Sequence, residues 1–150
     1  MEIDPMTLYG LALSDFFNGN QDAKVIMHRD DNTSFELPMN IFFHGRGFSF
    51  IEEEALELCR GKVLDVGAGS GRHSLYLKQK GLDVFSIDIS PEATEIMKKQ
   101  GLSKVKCSNI FDFHEGKYDS IILLGHGIGM TGSLEGFRIF LGHMEKLLRP

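Results

Sequence analysis

A glycine-rich turn with an acid at its start lies near the middle of the chain. Residues 65–71 have the pattern D-x-G-x-G-x-G, follow a short apolar run and lead directly into a helical pattern. Glycines let a backbone turn tightly and approach a ligand, and a helix start offers unpaired N–H groups. Asp88 stands at the end of the next apolar run, where a carboxylate can accept both hydroxyls of a ribose. This arrangement predicts a site for a ligand that carries a ribose.

The segments around the turn alternate between strand and helix patterns, which indicates a parallel sheet with right-handed crossovers. The apolar run that follows Tyr118 suits a strand covered on both faces. In an open α/β sheet the ligand binds beyond the carboxyl ends of the strands. The predicted fold is doubly wound α/β, with strands over 63–66, 84–88, 104–108 and 118–124 and helices over 70–80, from 90 to just before 101, and from 133 to the chain end.

The first fifty residues have a different character and predict a helix followed by a hairpin. Asp4 can cap a helix that Pro5 begins, and Gly19 can end it. An i, i+3, i+4 rhythm gives this helix a buried face, formed by Tyr9, Ala12, Leu13, Phe16 and Phe17. Residues 24–29 and 34–37 read as two strands around a turn at 30–32.

A further helix is predicted just before the glycine turn. Ser49 and Glu52 have the spacing of a capping box, in which each side chain bonds the backbone of the other. Ile51, Ala55 and Leu58 give the helix one apolar stripe. The acidic run at 52–54 is favourable in a first turn because of the helix dipole, so it does not indicate a site.

Composition excludes several classes of protein. The chain has 150 residues, 42% of them apolar and 25% charged, which is ordinary for one globular domain. Its net charge of −5 argues against an electrostatic nucleic-acid surface. The densest apolar run, 121–124, is far shorter than the ~20 residues of a membrane helix. Cys59 and Cys107 lack metal-type spacing, so we expect reduced thiols, no bound metal and a cytoplasmic location.

The sequence from Val63 to His73 resembles the first motif of class I S-adenosylmethionine-dependent methyltransferases. Asp88 matches the ribose-binding acid of that family, 118–124 is similar to its fourth strand, and 147–150 to the entry into its fifth. The resemblance covers 48–150. It implies a Rossmann-like domain over 48–150, with strand order 3-2-1-4 and without the C-terminal strands of the family, and a helix-plus-hairpin addition over 1–47.

The resemblance also implies a cofactor, S-adenosyl-L-methionine, with S-adenosyl-L-homocysteine as the product. Asp65 and the backbone of Gly67 and Gly69 would hold the methionine amino end. Asp88 would accept the ribose hydroxyls, and Ile89 would pack on the adenine. The remaining cofactor-binding residues that it implies are Ala68, Gly71, Asn109, Ile110 and Gly125.

Several of these residues also have a purely structural interpretation. Asp65 could bind loop amides at its strand end, and Asp88 could cap the helix at Ser90. Asn109 stands where the family often has an acid that meets the adenine amino group, and it could be an ordinary turn residue. Its side-chain oxygen can still accept a hydrogen bond, and Asp112 is the nearby alternative.

Two histidines and a loop are candidates for the reaction centre. His126 follows the fourth strand, where the family builds that centre, so it is the weak catalytic candidate, with a plain loop histidine as the alternative. His73 is expected to be packed or solvated on its helix rather than catalytic. Phe42 to Gly47 is hypothesised to close over the cofactor. Phe42 and Phe43 are expected to be core or lid aromatics, with a substrate cage as the alternative, and Arg46 could meet the cofactor carboxylate or lie at the surface.

The sequence alone leaves three functions open. The first is a methyltransferase acting on a small molecule or a protein side chain, since residues 124–127 lack the Asn-Pro-Pro-Tyr of enzymes that modify DNA amines or glutamine. The second is a cofactor-binding domain without catalysis, because no residue is an unambiguous catalyst. The third is a nicotinamide dehydrogenase, which the glycine spacing disfavours because that class has G-x-G-x-x-G.

The sequence does not identify the acceptor or the oligomeric state. Nucleic-acid and membrane partners are not expected. Strand four would be an apolar sheet edge in this chain, and soluble proteins normally avoid such edges. We therefore predict that these residues form the N-terminal part of a longer protein, whose remainder supplies the acceptor site.

Overall fold

A computed structural model of the chain describes residues 4–43, 47–125 and 127–150. In these ranges the helices are α1 (Pro5–Phe17), α2 (Phe50–Glu57), α3 (Arg72–Gln79), α4 (Pro91–Lys99) and α5 (Leu134–Leu147). The strands are β1 (Lys24–His28), β2 (Ser34–Pro38), β3 (Lys62–Val66), β4 (Asp83–Asp88), β5 (Val105–Cys107) and β6 (Ser120–Ile122). Short 3₁₀ turns lie at Met39–Phe42, Ile110–Asp112 and Gly127–Thr131.

A parallel sheet in the order β5-β4-β3-β6 forms the centre of the molecule. This is the predicted order 3-2-1-4, in which β3, β4, β5 and β6 are the first, second, third and fourth strands of the alternating region. The fourth strand is shorter than predicted, because β6 pairs with β3 only over Ser120–Ile122. Tyr118 instead forms an isolated parallel bridge with Leu148, so the last residues of the chain lie beside the start of this strand.

Two apolar layers enclose the sheet. Leu64 and Val66 face one side, where they pack with Phe113, Tyr118 and the α5 residues Phe140, Met144 and Leu147. Val63 faces the other side and packs with Leu77 of α3. Alternate side chains of a strand point to opposite faces, so Asp65 lies on the α3 side with Val63. The strand pattern therefore decides which helix this buried acid meets.

The N-terminal helix and hairpin form as predicted and pack on α4. The Asp4 side chain accepts a hydrogen bond from the Met6 N–H at 3.3 Å, and β1 and β2 pair antiparallel. One apolar cluster joins α1 to α4; its buried members are Leu13, Ala23, Met39, Phe43, Ala93 and Ile96. A Cβ at Gly10 would collide with the side chains of Ser90 and Glu92, so the glycine permits the close approach of the helices. The boundary between 1–47 and 48–150 stays a prediction.

Helix α2 has the predicted cap but not the predicted packing face. The Glu52 N–H donates to Ser49 Oγ at 3.3 Å, and the Ser49 N–H donates to Glu52 Oε2 at 2.7 Å. Ile51 and Leu58, expected to form an apolar stripe, are 76% and 77% exposed. The helix instead buries Leu56 against Val63. Over the described ranges, no helix has both the length and the apolar character needed to cross a bilayer.

Candidate functional site

The glycine turn lies at the carboxyl end of β3 and is bonded to β4. Gly67, Gly69 and Gly71 have φ values of 68°, 56° and 85°, which L side chains rarely adopt. The N–H groups of Gly67 and Ala68 donate to the Ile87 carbonyl oxygen at 2.9 and 3.0 Å. These bonds hold the turn over the edge of the sheet.

The three glycines serve different purposes. A Cβ at Gly71 would lie 2.7 Å from Met97 Cγ, so this glycine lets α3 pack closely on α4. A Cβ at Gly67 or Gly69 would enter more open space, where the nearest atoms are Met130 Cε at 3.6 Å and Tyr9 Oη at 3.5 Å. The backbone at Gly67 and Gly69 is therefore approachable by a ligand.

Asp88 is buried beside the turn and bonds the backbone on both sides. Its Oδ2 accepts from the Gly69 N–H at 2.8 Å, and its Oδ1 accepts from the Ser90 N–H at 2.9 Å. Burial raises the pKa of Asp88, and these hydrogen bonds oppose that rise. The structural interpretation of Asp88 thus describes real contacts. It does not exclude a ligand, because each carboxylate oxygen has a second lone pair.

Asp65 lies behind the turn rather than in an open cleft. It is 1% exposed and accepts a hydrogen bond from Ser74 Oγ at 2.6 Å, and that hydroxyl lies 2.7 Å from Ser86 Oγ. Burial raises the pKa of Asp65. The main contact of its side chain is a serine of α3 and not the loop amides. Its part in holding a cofactor stays a prediction.

The other predicted residues follow the carboxyl ends of neighbouring strands. Ile89, after β4, is 52% exposed and free to pack on a flat ring. Asn109, after β5, caps the 3₁₀ turn by accepting from the Phe111 N–H at 3.0 Å, as a turn residue would. Ile110 is buried, and Gly125, after β6, has φ 68° with open space where a Cβ would lie. His126 and Arg46 lie outside the described residues.

Tyr9 is a residue of this site that the sequence did not reveal. Its pKa is raised by burial and further by the negative charge of Asp88, and its hydroxyl faces Gly69. The Phe42 ring meets the Tyr9 ring edge to face at 5.3 Å. The periodicity of α1 marked Tyr9 as inward-facing, but sequence spacing carries no signal that places it on a glycine turn so far along the chain.

His73 is packed, as predicted. It is 8% exposed, its Nε2 lies 2.8 Å from Glu52 Oε1, and its ring stacks on Phe48 at 5.4 Å. Phe43 is a core residue that packs on Phe16, whereas Phe42 lies beside Tyr9. No cluster of metal-ligating side chains is found among the residues that the structure describes.

A family model described as "Methyltransferase domain" matches residues 63–150. The chain belongs to this methyltransferase family. The match begins at the second residue of β3 and includes the glycine turn, Asp88 and the rest of the parallel sheet. It bears out the resemblance to class I S-adenosylmethionine-dependent methyltransferases and decides against a nicotinamide dehydrogenase.

Solved structures of methyltransferases share the fold of this methyltransferase domain. A SAM-dependent methyltransferase from Bacteroides fragilis, in complex with S-adenosyl-L-homocysteine, is 34% identical with a TM-score of 0.89; the match covers 96% of this chain and 61% of that one. The sugar N-methyltransferase KedS8 from a Streptoalloteichus species is 22% identical with a TM-score of 0.62, over 73% of this chain and 49% of that one. DesVI from Streptomyces venezuelae is 20% identical with a TM-score of 0.62, over 74% and 51%.

The part of this chain that matches each of these three proteins spans about half to three fifths of that protein's length. The similarity to the Bacteroides fragilis protein extends over the N-terminal helix and hairpin, since it covers 96% of the chain. The family model begins only at residue 63. The addition is therefore part of a fold that at least one solved methyltransferase shares.

Proposed function

We propose that this domain binds S-adenosyl-L-methionine and transfers its methyl group to a small molecule or a protein side chain. The observation that carries the proposal is the pairing of an approachable glycine turn with a buried carboxylate. The Gly69 N–H and Asp88 Oδ2 are joined at 2.8 Å, so the two groups that would meet the cofactor are held in one rigid unit.

The described residues fit the cofactor by charge and by shape. Asp88 would accept the ribose hydroxyls with its remaining lone pairs, and Ile89 would cover one face of the adenine. The open space over Gly67 and Gly69 would take the methionine portion. Asn109, Ile110 and Gly125 would complete the set at the same edge of the sheet, and Asp65 would support the turn from behind.

Catalysis in this proposal is mainly positioning. The bound sulfonium supplies an activated methyl group, so the protein must align donor and acceptor for an in-line displacement, an effect worth roughly 7–11 kcal/mol. Tyr9 faces the site with a raised pKa, so its hydroxyl is a donor and not a base at neutral pH. His126 is the candidate base for an acceptor that is protonated at working pH.

The acceptor is proposed from charge and chemistry. A net charge of −5 disfavours a polyanionic nucleic acid, so a small molecule or a protein side chain is the better candidate. One protein that shares the fold is a sugar N-methyltransferase, which makes amino sugars a reasonable first group to test. A cytoplasmic location is proposed because the two cysteines are free thiols and the family uses a soluble cofactor.

Calorimetry on one preparation tests the cofactor. S-adenosyl-L-methionine and S-adenosyl-L-homocysteine should bind, and NAD should not. Asp88→Ala should weaken binding by about 1.5–3 kcal/mol, because a charge-assisted hydrogen bond to the ribose is lost. Asp83→Ala, at the exposed start of the same strand, should leave binding unchanged.

Two outcomes would contradict the proposal. Binding of NAD with no binding of the sulfonium cofactor would overturn the cofactor, and equal binding by wild type and Asp88→Ala would overturn the role of the carboxylate. Turnover with a panel of amino sugars, small amines and peptides then separates an enzyme from a domain that only binds. Binding without turnover by the full-length protein would favour the non-catalytic alternative.

A further inference from the structure

Two side chains on either side of Gly71, where the glycine turn meets α3, reach back to the N-terminal addition. Ser70 Oγ donates to the carbonyl oxygen of Phe42, and Arg72 Nη1 donates to the carbonyl oxygen of Ile41 at 2.6 Å. Ser70 and Arg72 flank Gly71, and the two carbonyl groups are consecutive. These two hydrogen bonds, which we call the 70/72 clasp, therefore join the turn to one short piece of backbone.

The surroundings of Arg72 are those of an ordered side chain. It is 14% exposed, its guanidinium carbon lies 4.5 Å from the centre of the Phe48 ring, and its Nη2 lies 4.0 Å from Glu52 Oε1. Arg72 is also the first residue of α3, where the helix dipole disfavours a cation. Its contacts with Ile41, Phe48 and Glu52 oppose that cost and fix the direction of the guanidinium.

The backbone held by the clasp carries Phe42, one of the two rings that form an aromatic wall beside the proposed cofactor site. The Phe42 ring meets the Tyr9 ring at 5.3 Å, and the Tyr9 hydroxyl faces Gly69. The contacts thus form a closed path from the turn, through Ile41 and Phe42, to Tyr9 and back to the turn. A change at Arg72 would reach the site along this path.

The rest of the addition has separate anchors. Helix α1 packs on α4 through Leu13, and the close approach of the two helices at Gly10 does not involve the clasp. Ser70 and Arg72 are therefore not needed to dock α1. Their loss should loosen the position of Phe42, the ring that packs on Tyr9, while α1 and the rest of the fold remain in place.

We propose that Ser70 and Arg72 are positioning residues for the cofactor, which hold Phe42 against Tyr9 so that the two rings form one wall of its site. This inference rests on the proposed function. Neither residue needs to contact the cofactor, because each acts through the backbone of residues 41 and 42.

Calorimetric titration with S-adenosyl-L-homocysteine tests the clasp. Arg72→Met should raise the Kd about tenfold, and Arg72→Lys should restore part of the affinity because it keeps a donor for Ile41. Lys78→Met is the matched control: Lys78 lies on the same helix and donates to the Gly101 carbonyl oxygen at 2.8 Å, away from the site. It should change the Kd by less than about twofold.

A double-mutant cycle separates positioning from a general loss of stability. In a Phe42→Ala background, Arg72→Met should change the Kd by less than about threefold, because the wall that it positions is already gone. Full additivity of the two substitutions would overturn the proposal. If Arg72→Met does not fold, Ser70→Ala provides a second test, because it removes only one hydroxyl. An unchanged Kd in Ser70→Ala would also overturn the clasp proposal.

Binding by the wild type distinguishes a failure of the proposed function from a failure of the clasp proposal. Failure of the wild-type protein to bind S-adenosyl-L-homocysteine overturns the proposed function, and the clasp proposal with it. Binding by the wild type that is equal in Arg72→Met and Lys78→Met overturns the clasp proposal alone.

Discussion

The carboxylate of Asp88 shows how one residue can prepare a site before a ligand arrives. Its two oxygens each bind a backbone N–H, one from the glycine turn and one from the start of α4. The side chain therefore has a fixed direction, and a ligand meets oriented acceptors without further loss of conformational freedom. The structural role and the proposed binding role of Asp88 support each other.

Gly69 provides the sharpest test at the residue scale. Gly69→Ala places a methyl group in the space that the cofactor would need, at a φ of 56°. Gly81→Ala is the control, since Gly81 has a φ of 85° and no atom of the described residues lies within 4 Å of the added Cβ. Both substitutions should cost about 1–2 kcal/mol of stability from left-handed strain, but only Gly69→Ala should abolish binding of S-adenosyl-L-homocysteine. Normal binding by Gly69→Ala would refute the role of the turn.

At the scale of the element, the orientation of α2 follows from polar contacts as well as from apolar ones. Glu52 closes the capping box with Ser49 and also meets His73 of α3 at 2.8 Å. Leu56 is buried against Val63 while Ile51 and Leu58 stay exposed. An apolar stripe on an isolated helix therefore did not predict which face would be covered.

The α2 cap yields a stability prediction. Ser49→Ala removes the oxygen that accepts from the Glu52 N–H, and the free energy of unfolding should fall by about 1 kcal/mol. Ser103→Ala, in the exposed connection between α4 and β5, should change it by less than about 0.5 kcal/mol. Urea denaturation measures both. An equal effect of the two substitutions would show that the cap adds nothing.

At the scale of the whole molecule, the surroundings of three carboxyl groups shift their pKa values in opposite directions. Partial burial acts to raise the pKa of Glu52, but hydrogen bonds from the Ser49 backbone and from His73, with the nearby charge of Arg72, lower it to about 2. Burial raises the pKa values of Asp65 and Asp88. Protonation of Glu52 therefore destabilises the fold, whereas protonation of Asp65 and Asp88 stabilises it.

The sign of each shift fixes its pH dependence. A lowered folded-state pKa means that Glu52 stabilises the fold fully above its ordinary value of 4.5, and that this contribution is lost as the pH falls towards 2. Asp65 and Asp88 stabilise the fold most at low pH, and their contribution is lost as the pH rises above 3.8 through their folded-state pKa values.

Comparing the unfolding free energy of the wild type with that of Glu52→Gln between pH 5 and pH 2.5 isolates the contribution of Glu52. Between pH 5 and pH 2.5 the wild type should lose roughly 1–3 kcal/mol more unfolding free energy than Glu52→Gln, which cannot titrate at that position. Glu54→Gln, at an exposed residue of α2, is the control and should follow the wild type. Parallel curves for wild type and Glu52→Gln would contradict the prediction.

The sequence by itself determined the features that depend on neighbours within one turn. The caps at Asp4 and Ser49 rest on contacts over a few residues, and the glycines of 65–71 supply the positive φ values of the turn, so residue types predict both features. The alternation of strands and helices likewise determined the parallel sheet, because crossover connections of this length leave few arrangements.

The tertiary structure decided what depends on contacts between distant residues. The position of Tyr9 at Gly69, the clasp from Arg72 to Ile41 and the exposure of Ile51 each follow from how helices pack. The paired length of β6 depends in the same way on which strands lie beside it. Packing selects one arrangement among many that satisfy the same local patterns, because side-chain shape at a contact is not encoded in the spacing of either partner.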